Sequence, residues 1–518
     1  IGETSPSFRG AGHVSTEYNY DQYNRLIAQS QTDMVDTLYE YDAMGDMTRS
    51  GLDMNGNGQL DLASGDRITD TDRVYQINEG IWFEVSTTTV YPVMNHSTAK
   101  TVSVSKRQLS GFTGNLVHKE IYEDIHGNQT IRSTEIDRAT KTVTERTDTP
   151  FSSIDAERVT INGLLVSQNS DTVAAATTYT CDDLGRLIAV KEPRHNDRSE
   201  IRYYTRKNQI FSRTDADGNT TTFAYYQNGK IGAGQIKSMT NALGKKTYFA
   251  YNKLGDQVRT WGETNYPQRY AYNEYGELTS LTTWRDKDNV LDFTTSTWPN
   301  TANMKNGDTT SWSYDTATGL LQSKRYADGK RIRYIYNTAN RLTRRIWARS
   351  RDFDTLYKYS KKTGELTVVD YKNADTADIK YTYDRLGRQK KVTDATGIRT
   401  FNYDPETLQL KSETLDSSFY RGYQLKRTYD DQRRSDGYIL KDSTSTALST
   451  VGYTFDTSGR LRTVSNQSDT FTYGYKPDSN LLASVTAPKH SVIYTYETNR
   501  DLMTIIDNQI SGASISKY

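Results

Sequence analysis

The sequence predicts an all-β protein in which tandem β-hairpins form one long, continuous antiparallel sheet. Three observations support this fold class: an aromatic motif that recurs along most of the 518 residues, a second turn signal between its copies, and an abundance of tyrosine, with 39 copies. Tyrosine and the frequent β-branched residues suit a pleated, half-buried surface. We expect the sheet to coil into a hollow spiral barrel or shell.

The recurring motif reads aromatic-x-aromatic-Asp/Asn-x-x-Gly. Asp or Asn starts a turn by bonding its own backbone, and Gly supplies the positive φ that such turns require. Two aromatic residues separated by one residue on a strand point to the same face of the sheet. Copies of the motif recur about every 20 to 24 residues, which is the length of one β-hairpin repeat. Clear copies begin at Tyr39, Tyr179, Phe249, Tyr270, Tyr381 and Tyr453, and weaker ones at Tyr18, Tyr334, Tyr357, Tyr473 and Tyr494.

A second turn signal lies midway between copies of the motif. It appears as Asp215-Ala-Asp-Gly218, Asn241-Ala-Leu-Gly244 and Asp394-Ala-Thr-Gly397. If roughly 24 repeats pair, two strands each at ~4.8 Å give a sheet about 230 Å wide. Strand twist accumulates over such a width, so we expect a spiral whose edges pair with the next turn.

The period divides the chain into three regions. Residues 1–49 hold the first repeats, residues 50–176 hold degenerate repeats or an insertion in the same sheet, and residues 177–518 hold the regular array. A β-propeller would need blades of ~40–50 residues with their own signatures. A helical solenoid would need a 3.6-residue apolar period, and separate β-sandwiches would interrupt the repeat. A continuous strip of hairpins fits best.

Composition excludes several classes of partner. The net charge is +1, from 65 basic and 64 acidic residues, so the chain lacks the positive charge that nucleic-acid binding needs. No apolar run approaches the ~20 residues that span a bilayer, so we expect no membrane insertion. Cys181 is the single cysteine, which excludes an internal disulfide. Because the chain opens at Ile1, we expect it to be a piece of a longer polypeptide.

One segment resembles a calcium-binding loop. It carries oxygen-bearing side chains at positions 1, 3 and 5 of the loop, glycine at position 6 and an acid at position 9, an order that gathers oxygens around Ca²⁺. Position 12, which usually holds an acid, is Ser64. A plain Asn-Gly turn explains the same residues, and that alternative stays open. The candidate ligands of a structural calcium ion are Asp53, Asn55, Asn57, Gln59, Asp61 and Asp66.

The repeats resemble the YD repeats of the RHS family, which includes bacterial RHS proteins, shell components of insecticidal toxin complexes and teneurins. Residues 181–187 depart from the family motif only where Cys181 replaces its second tyrosine, and the resemblance covers residues 18–41 and 179–497. It implies a β-shell around a polypeptide, either the protein's own or a fused toxin-like C-terminal domain. It also implies a bacterial protein that is secreted or held at the cell surface.

We therefore predict a non-catalytic structural shell. The alternative is an adhesion or matrix protein that binds glycans through its tyrosine rows or self-associates through sheet edges. No phosphate-binding loop or nucleophile-elbow motif appears, and Cys181 is interpreted as a buried thiol. The histidines, which show no metal-binding spacing, are His13, His96, His118, His126, His195 and His490.

Overall fold

The computed structural model describes residues 2–94, 99–204, 207–284, 294–299, 307–349, 354–372, 375–417 and 419–518. Within these ranges, 42 strands form a single sheet, and a short 3-10 turn at Phe8–Gly10 is the one helical element. Each strand pairs antiparallel with the strands before and after it in sequence, so the sheet is a continuous meander. This confirms the predicted fold class, with 42 strands rather than the expected ~48.

The strands fall into three groups by position. The first five are β1 (Gly2–Pro6), β2 (His13–Tyr20), β3 (Leu26–Gln31), β4 (Thr37–Tyr41) and β5 (Met47–Leu52). The next eight are β6 (Arg67–Asn78), β7 (Ile81–Val90), β8 (Lys100–Gln108), β9 (Leu116–Asp124), β10 (Gln129–Asp137), β11 (Thr142–Asp148), β12 (Ala156–Ile161) and β13 (Leu164–Ser170). The remainder are β14 (Val173–Cys181), β15 (Leu187–Lys191), β16 (Ser199–Tyr203), β17 (Ile210–Thr214), β18 (Thr220–Tyr225), β19 (Ile236–Thr240), β20 (Lys246–Tyr251), β21 (Gln257–Gly262), β22 (Gln268–Tyr272), β23 (Leu278–Thr283), β24 (Asp308–Tyr314), β25 (Leu321–Arg325), β26 (Arg331–Tyr336), β27 (Leu342–Ile346), β28 (Asp354–Tyr359), β29 (Leu366–Tyr371), β30 (Ile379–Tyr383), β31 (Gln389–Asp394), β32 (Gly397–Tyr403), β33 (Leu410–Leu415), β34 (Gln424–Tyr429), β35 (Ser435–Lys441), β36 (Ala447–Phe455), β37 (Leu461–Asn466), β38 (Asp469–Tyr475), β39 (Leu482–Thr486), β40 (His490–Tyr496), β41 (Met503–Ile510) and β42 (Ala513–Lys517).

The second aromatic residue of each repeat ends a strand, and the register with the next strand shifts there. Such shifts occur at Tyr41, Tyr251 and Tyr383, among others. A β-bulge bends a strand and increases its local twist. Repetition of the bulge in successive hairpins therefore curves the sheet in a constant sense.

The sheet coils so that segments about 300 residues apart in sequence lie in contact. The turn between β9 and β10 meets the turn between β34 and β35, where the Asn128 side chain donates to the Gln432 carbonyl. The turn between β13 and β14 meets that between β38 and β39, where Asn480 donates to Thr172. Both pairs are separated by 25 strands, which is therefore one turn of the spiral. At ~4.8 Å per strand, one turn is about 120 Å around and about 38 Å across.

One turn of the spiral contains 25 strands, which is an odd number. One margin of the sheet therefore meets the opposite margin in the next turn of the spiral. Hairpin turns that follow the tyrosine motif lie at one margin, and the midway turns lie at the other. In successive turns of the spiral, the motif turns of β26–β41 stack on the midway margin of β1–β16. Connecting turns rather than lateral strand edges thus join the coils, which corrects the expected edge pairing. The 42 strands make about one and two-thirds turns, and β1 and β42 do not pair with each other in the described residues.

Buried apolar residues are sparse, as a single-layer wall requires. A small cluster joins Leu60, Leu62, Ile68 and Tyr91, with Leu38 packed against it. A second group of rings, around Trp261, lies on β20–β23 and the segment that follows them. Within the described ranges, no helix is long and apolar enough to cross a membrane. The wall encloses volume instead of filling it.

Candidate functional site

A tyrosine hydroxyl links most of the regular hairpins to the preceding one. The Tyr251 hydroxyl donates to the carbonyl of Ile236 at 3.0 Å, and that of Tyr383 donates to Leu366 at 2.7 Å. Burial raises the pKa of Tyr251, which keeps this hydroxyl protonated as a donor. We call this bond the tyrosine staple. The same bond is made by Tyr41, Tyr203, Tyr225, Tyr272, Tyr314, Tyr336, Tyr359, Tyr403, Tyr429 and Tyr475.

The arginine that follows the motif glycine links its hairpin to the next one. Arg388 bonds Asp384 at 2.8 Å through Nε, and its Nη1 donates to the Leu408 carbonyl at 2.8 Å. Its guanidinium lies 3.9 Å from the ring centroid of Tyr403. Arg186 holds Asp182 in the same way, and this hydrogen bond lowers the pKa of Asp182. Repeats that carry both the tyrosine and the arginine are therefore connected to the hairpin before and to the hairpin after.

We call the line of contact between successive turns of the spiral the seam. Backbone hydrogen bonds cross it from Val35 to Lys362 at 3.0 Å and from Ser153 to Thr457 at 2.8 Å. An ion pair also crosses it, with 2.7 Å between Arg67 Nη1 and Glu365 Oε1. Hydrogen bonds of the main chain fix the two coils in one register, so the seam is a specific interface.

The predicted calcium loop folds around two buried carboxylates. Asp53 is 3% exposed, and its oxygens accept the backbone amides of Gly56 and Gly58, each at 2.7 Å. Asp66 is fully buried and accepts the amides of Met54 and Asp61, each at 2.8 Å. These bonds close residues 53–66 into a compact loop between β5 and β6.

The other predicted ligands lie on the exposed side of the loop. Asn57 donates to the Asp61 carboxylate at 2.7 Å and accepts the amide of Gln59 at 3.0 Å. Asn55 accepts the amide of Asn57 at 2.9 Å. Gly58 has φ of +78°, which bends the chain sharply at position 6 of the loop. In the part of the chain that the structure describes, no three His, Cys, Asp or Glu side chains are arranged to hold a metal.

The same loop lies directly in the seam. Arg385, from the motif turn between β30 and β31, donates to the carbonyls of Asp66 at 2.6 Å, Leu62 at 3.1 Å and Val93 at 2.7 Å. Burial lowers the pKa of Arg385. Lys362 donates to the Met54 carbonyl at 2.8 Å. Sequence reasoning missed both cations because they occupy ordinary variable positions of the motif turn.

The remaining candidate residues have structural surroundings. Cys181 ends β14 in place of a stapling tyrosine and is a half-buried free thiol. His195 lies in the seam, with Nε2 3.1 Å from Asp501 Oδ1, beside the Arg194–Asp501 ion pair. His96 lies outside the described residues. Glycan binding by the tyrosine rows stays a prediction.

The geometry defines a class of protein, a coiled single-sheet β-shell built from stapled hairpins. Comparison with known families agrees: residues 231–446 match the family described as the teneurin YD-shell. This match, over 231–446, confirms the predicted resemblance to the RHS/YD-repeat family. A search of curated protein sequences finds no match.

Two solved structures align with most of this chain at low sequence identity. The crystal structure of TcdB2-TccC3 without its hypervariable C-terminal region is 14% identical, with a TM-score of 0.40, and covers 98% of this chain and 31% of that one. TcdB2-TccC3-Cdc42 is 12% identical, with a TM-score of 0.39, and covers 97% of this chain and 34% of that one. This chain thus spans about a third of those structures. The fold itself follows from the strand pairing.

Proposed function

We propose that this chain forms part of the wall of a non-catalytic shell that encloses a polypeptide, either its own or a fused toxin-like domain. The observation that carries the proposal is the seam, where coils 25 strands apart are joined by main-chain and side-chain bonds. A sheet that only presented its faces to a ligand would not need such an interface. The match of residues 231–446 to the teneurin YD-shell supports the same conclusion.

Electron microscopy of the purified chain tests this proposal. We expect ring-shaped projections in which opposite walls lie about 38 Å apart. Extra density should appear inside the ring when a toxin-like domain is fused to the chain. An empty open spiral, or particles joined end to end, would contradict enclosure and favour an adhesive or matrix role. Arg385→Ala gives a matched sample, because the loss of its three seam bonds should broaden or open the ring.

We propose that the protein acts outside the cytoplasm of a bacterium, secreted or held at the cell surface. Its family resemblance supports this location. Cell fractionation of the native producer tests it: the protein should appear in the medium or be removed by protease added to intact cells. Full protection from external protease in unbroken cells would contradict the proposal.

We also propose that residues 53–66 bind Ca²⁺ as a structural ion, through oxygens of the predicted ligands Asp53, Asn55, Asn57, Gln59, Asp61 and Asp66. Asp53 and Asp66 also hold the loop in shape, because each carboxylate accepts two or more backbone amides. At a Ca²⁺ concentration 100 times the dissociation constant, the folded state should gain about 2.7 kcal/mol. Thermal unfolding in CaCl₂ and in EGTA measures this gain. Asp61→Asn should reduce it and Asp137→Asn, in an unrelated turn, should not; no shift for the wild-type chain would exclude the ion.

A further inference from the structure

One hairpin projects beyond its neighbours in the sheet. The pairing of β5 with β6 ends at Arg49 and Asp70, yet β6 continues to Asn78. Eight further residues at ~3.3 Å each carry this strand about 26 Å past the end of that ladder. Every residue from 72 to 80 is exposed. The projecting part of β6 is therefore a strand whose side toward β5 has no neighbour in the described sheet.

The opposite side of the hairpin is closed. β7 pairs with β8 up to Phe83, and the Leu109 amide continues that line by donating to the Trp82 carbonyl at 2.8 Å. On the open side, an ion pair of 2.8 Å between Arg73 and Asp46 marks where the β4–β5 turn ends. The free edge thus comprises residues 74–78 of β6.

The turn sets which backbone groups face outward. Glu79 and Gly80 form a two-residue turn with positive φ at both positions, and Asn78 and Ile81 close the hairpin. In such hairpins the closing pair is hydrogen-bonded and the pairs then alternate. The amides and carbonyls of Tyr75 and Ile77 therefore point outward, away from β7.

This edge has none of the features that usually block strand addition. Residues 74–78 read Val-Tyr-Gln-Ile-Asn, without proline, lysine or a bulge. Tyr75 and Ile77 are 55% and 58% exposed and share a face with Trp82, which is 47% exposed. Apolar side chains thus flank an open row of backbone donors and acceptors.

We propose that this edge pairs antiparallel with the same edge of a second copy of the chain, about a two-fold axis through Gln76. Tyr75 then lies opposite Ile77 of the second copy and exchanges two backbone hydrogen bonds with it. The outward groups on both strands match in this register, and the symmetric pair repeats the exchange. The interface is independent of what the shell encloses.

Charge and continuity favour a second copy as the occupant. The same register places Arg73 opposite Glu79 of the second copy, and no like charges face each other across the axis. The new strand would extend the β5–β6 ladder in the same plane beyond the Arg73–Asp46 ion pair. An isologous pairing of this kind closes at a dimer instead of growing into a fibre.

Disulfide trapping tests the register. In a Cys181→Ser background, Gln76→Cys should cross-link to itself under mild oxidation, because facing Cα atoms in a non-hydrogen-bonded pair are about 4.5 Å apart. Val74→Cys alone should not cross-link, but an equimolar mixture with Asn78→Cys should. Equal cross-linking of all three single variants, or of none, would overturn the proposed pairing.

Sedimentation velocity tests the association without a new covalent bond. The wild-type chain should form a dimer whose fraction rises with concentration, and Tyr75→Lys should weaken it by roughly tenfold or more, since two charges then enter the interface. Tyr122→Lys is the matched control, because Tyr122 is 48% exposed on a strand paired along both edges. A chain that stays monomeric, or a Tyr122→Lys variant that is equally impaired, would overturn the proposal. Capture of a foreign extended peptide by a monomer would assign the edge to a different occupant.

Discussion

The regular array from β14 onward and the preceding strands β6–β13 belong to one sheet but are held in different ways. Most strands of the array have five to seven residues, whereas β6, β7 and β8 have 12, 10 and 9. The array uses tyrosine staples at most of its hairpins and Asp–Arg turns at several, among them Asp182–Arg186 and Asp384–Arg388. The β6–β13 region instead uses long ladders decorated by cross-strand ion pairs, such as Arg146 with Glu157 and Arg158 with Glu145.

The difference shows where each region obtains its stability. Exposed ion pairs contribute about 0–1 kcal/mol each, so those of β6–β13 do not replace the staples. The longer strands of this region form more backbone hydrogen bonds with their neighbours, which offsets part of the stability lost with the staples. In addition, the motif turns of the next coil stack on this region, through Arg385 at the 53–66 loop and through Gln432 and Thr457 at the turn between β11 and β12. The irregular strands therefore depend on the seam more than the array does.

The largest loss of stability is expected when Arg385, which donates hydrogen bonds across the seam, is replaced. Arg385→Ala removes charge-assisted hydrogen bonds to three carbonyls, and we expect a loss of about 3 kcal/mol in the free energy of unfolding. Chemical denaturation measures the loss, and hydrogen exchange should place it in β5–β9 before the array. Arg158→Ala, which removes an ion pair between half-exposed side chains, should cost less than about 1 kcal/mol. Equal losses would show that the seam does not carry the irregular region.

A pair of glycine substitutions separates turn conformation from seam contact. Gly459 and Gly244 both have φ of +76°, so alanine should cost about 1–2 kcal/mol at either turn. A Cβ at Gly459 would lie 2.7 Å from the Phe151 carbonyl oxygen across the seam, whereas a Cβ at Gly244 would meet open space. Gly459→Ala should therefore cost about 1–3 kcal/mol more. Thermal unfolding of both variants measures the difference, and equal costs would contradict the contact between coils.

The smallest expected effect tests the staple itself. Tyr251→Phe leaves the Ile236 carbonyl without its donor, and we expect a loss of about 1 kcal/mol. Tyr122→Phe, at an exposed ring on β9, should change stability by less than about 0.5 kcal/mol. Denaturant titration of the two variants checks this. A neutral Tyr251→Phe would mean that the repeated tyrosine acts through ring packing alone.

Local structure followed closely from the sequence. The turn signal from Asn241 to Gly244 lies between β19 and β20, and the motif turn at Asp384 lies between β30 and β31. The alternation of turns gave the meander because a connection of only a few residues brings each strand antiparallel beside the next one in sequence. The direction of the tyrosine side chains was also predicted, but the hydroxyl-to-carbonyl bond was not, since it depends on the bulge at the end of each strand.

The spiral itself was predicted, but the number of strands in each of its turns could not be. Its 25 strands per turn result from small twists and bulges that accumulate over many hairpins. No local residue pattern determines this accumulated curvature. The partners of the seam are consequently hidden in sequence: Lys362 and Arg385 stand where other repeats carry unrelated residues. The length of β6 was missed because that strand lacks the tyrosine motif. The calcium prediction for residues 53–66 still awaits its test.

The central claim is that one turn of the spiral brings together residues about 300 apart in sequence. Pulsed electron spin resonance between labels at Thr172→Cys and Asn480→Cys, in a Cys181→Ser background, measures it most directly. The side chains of Thr172 and Asn480 are joined by a hydrogen bond of 2.8 Å, so strong dipolar coupling at short distance is predicted. A sheet that did not coil would separate the two positions by 25 strands, or about 120 Å, and would show no coupling.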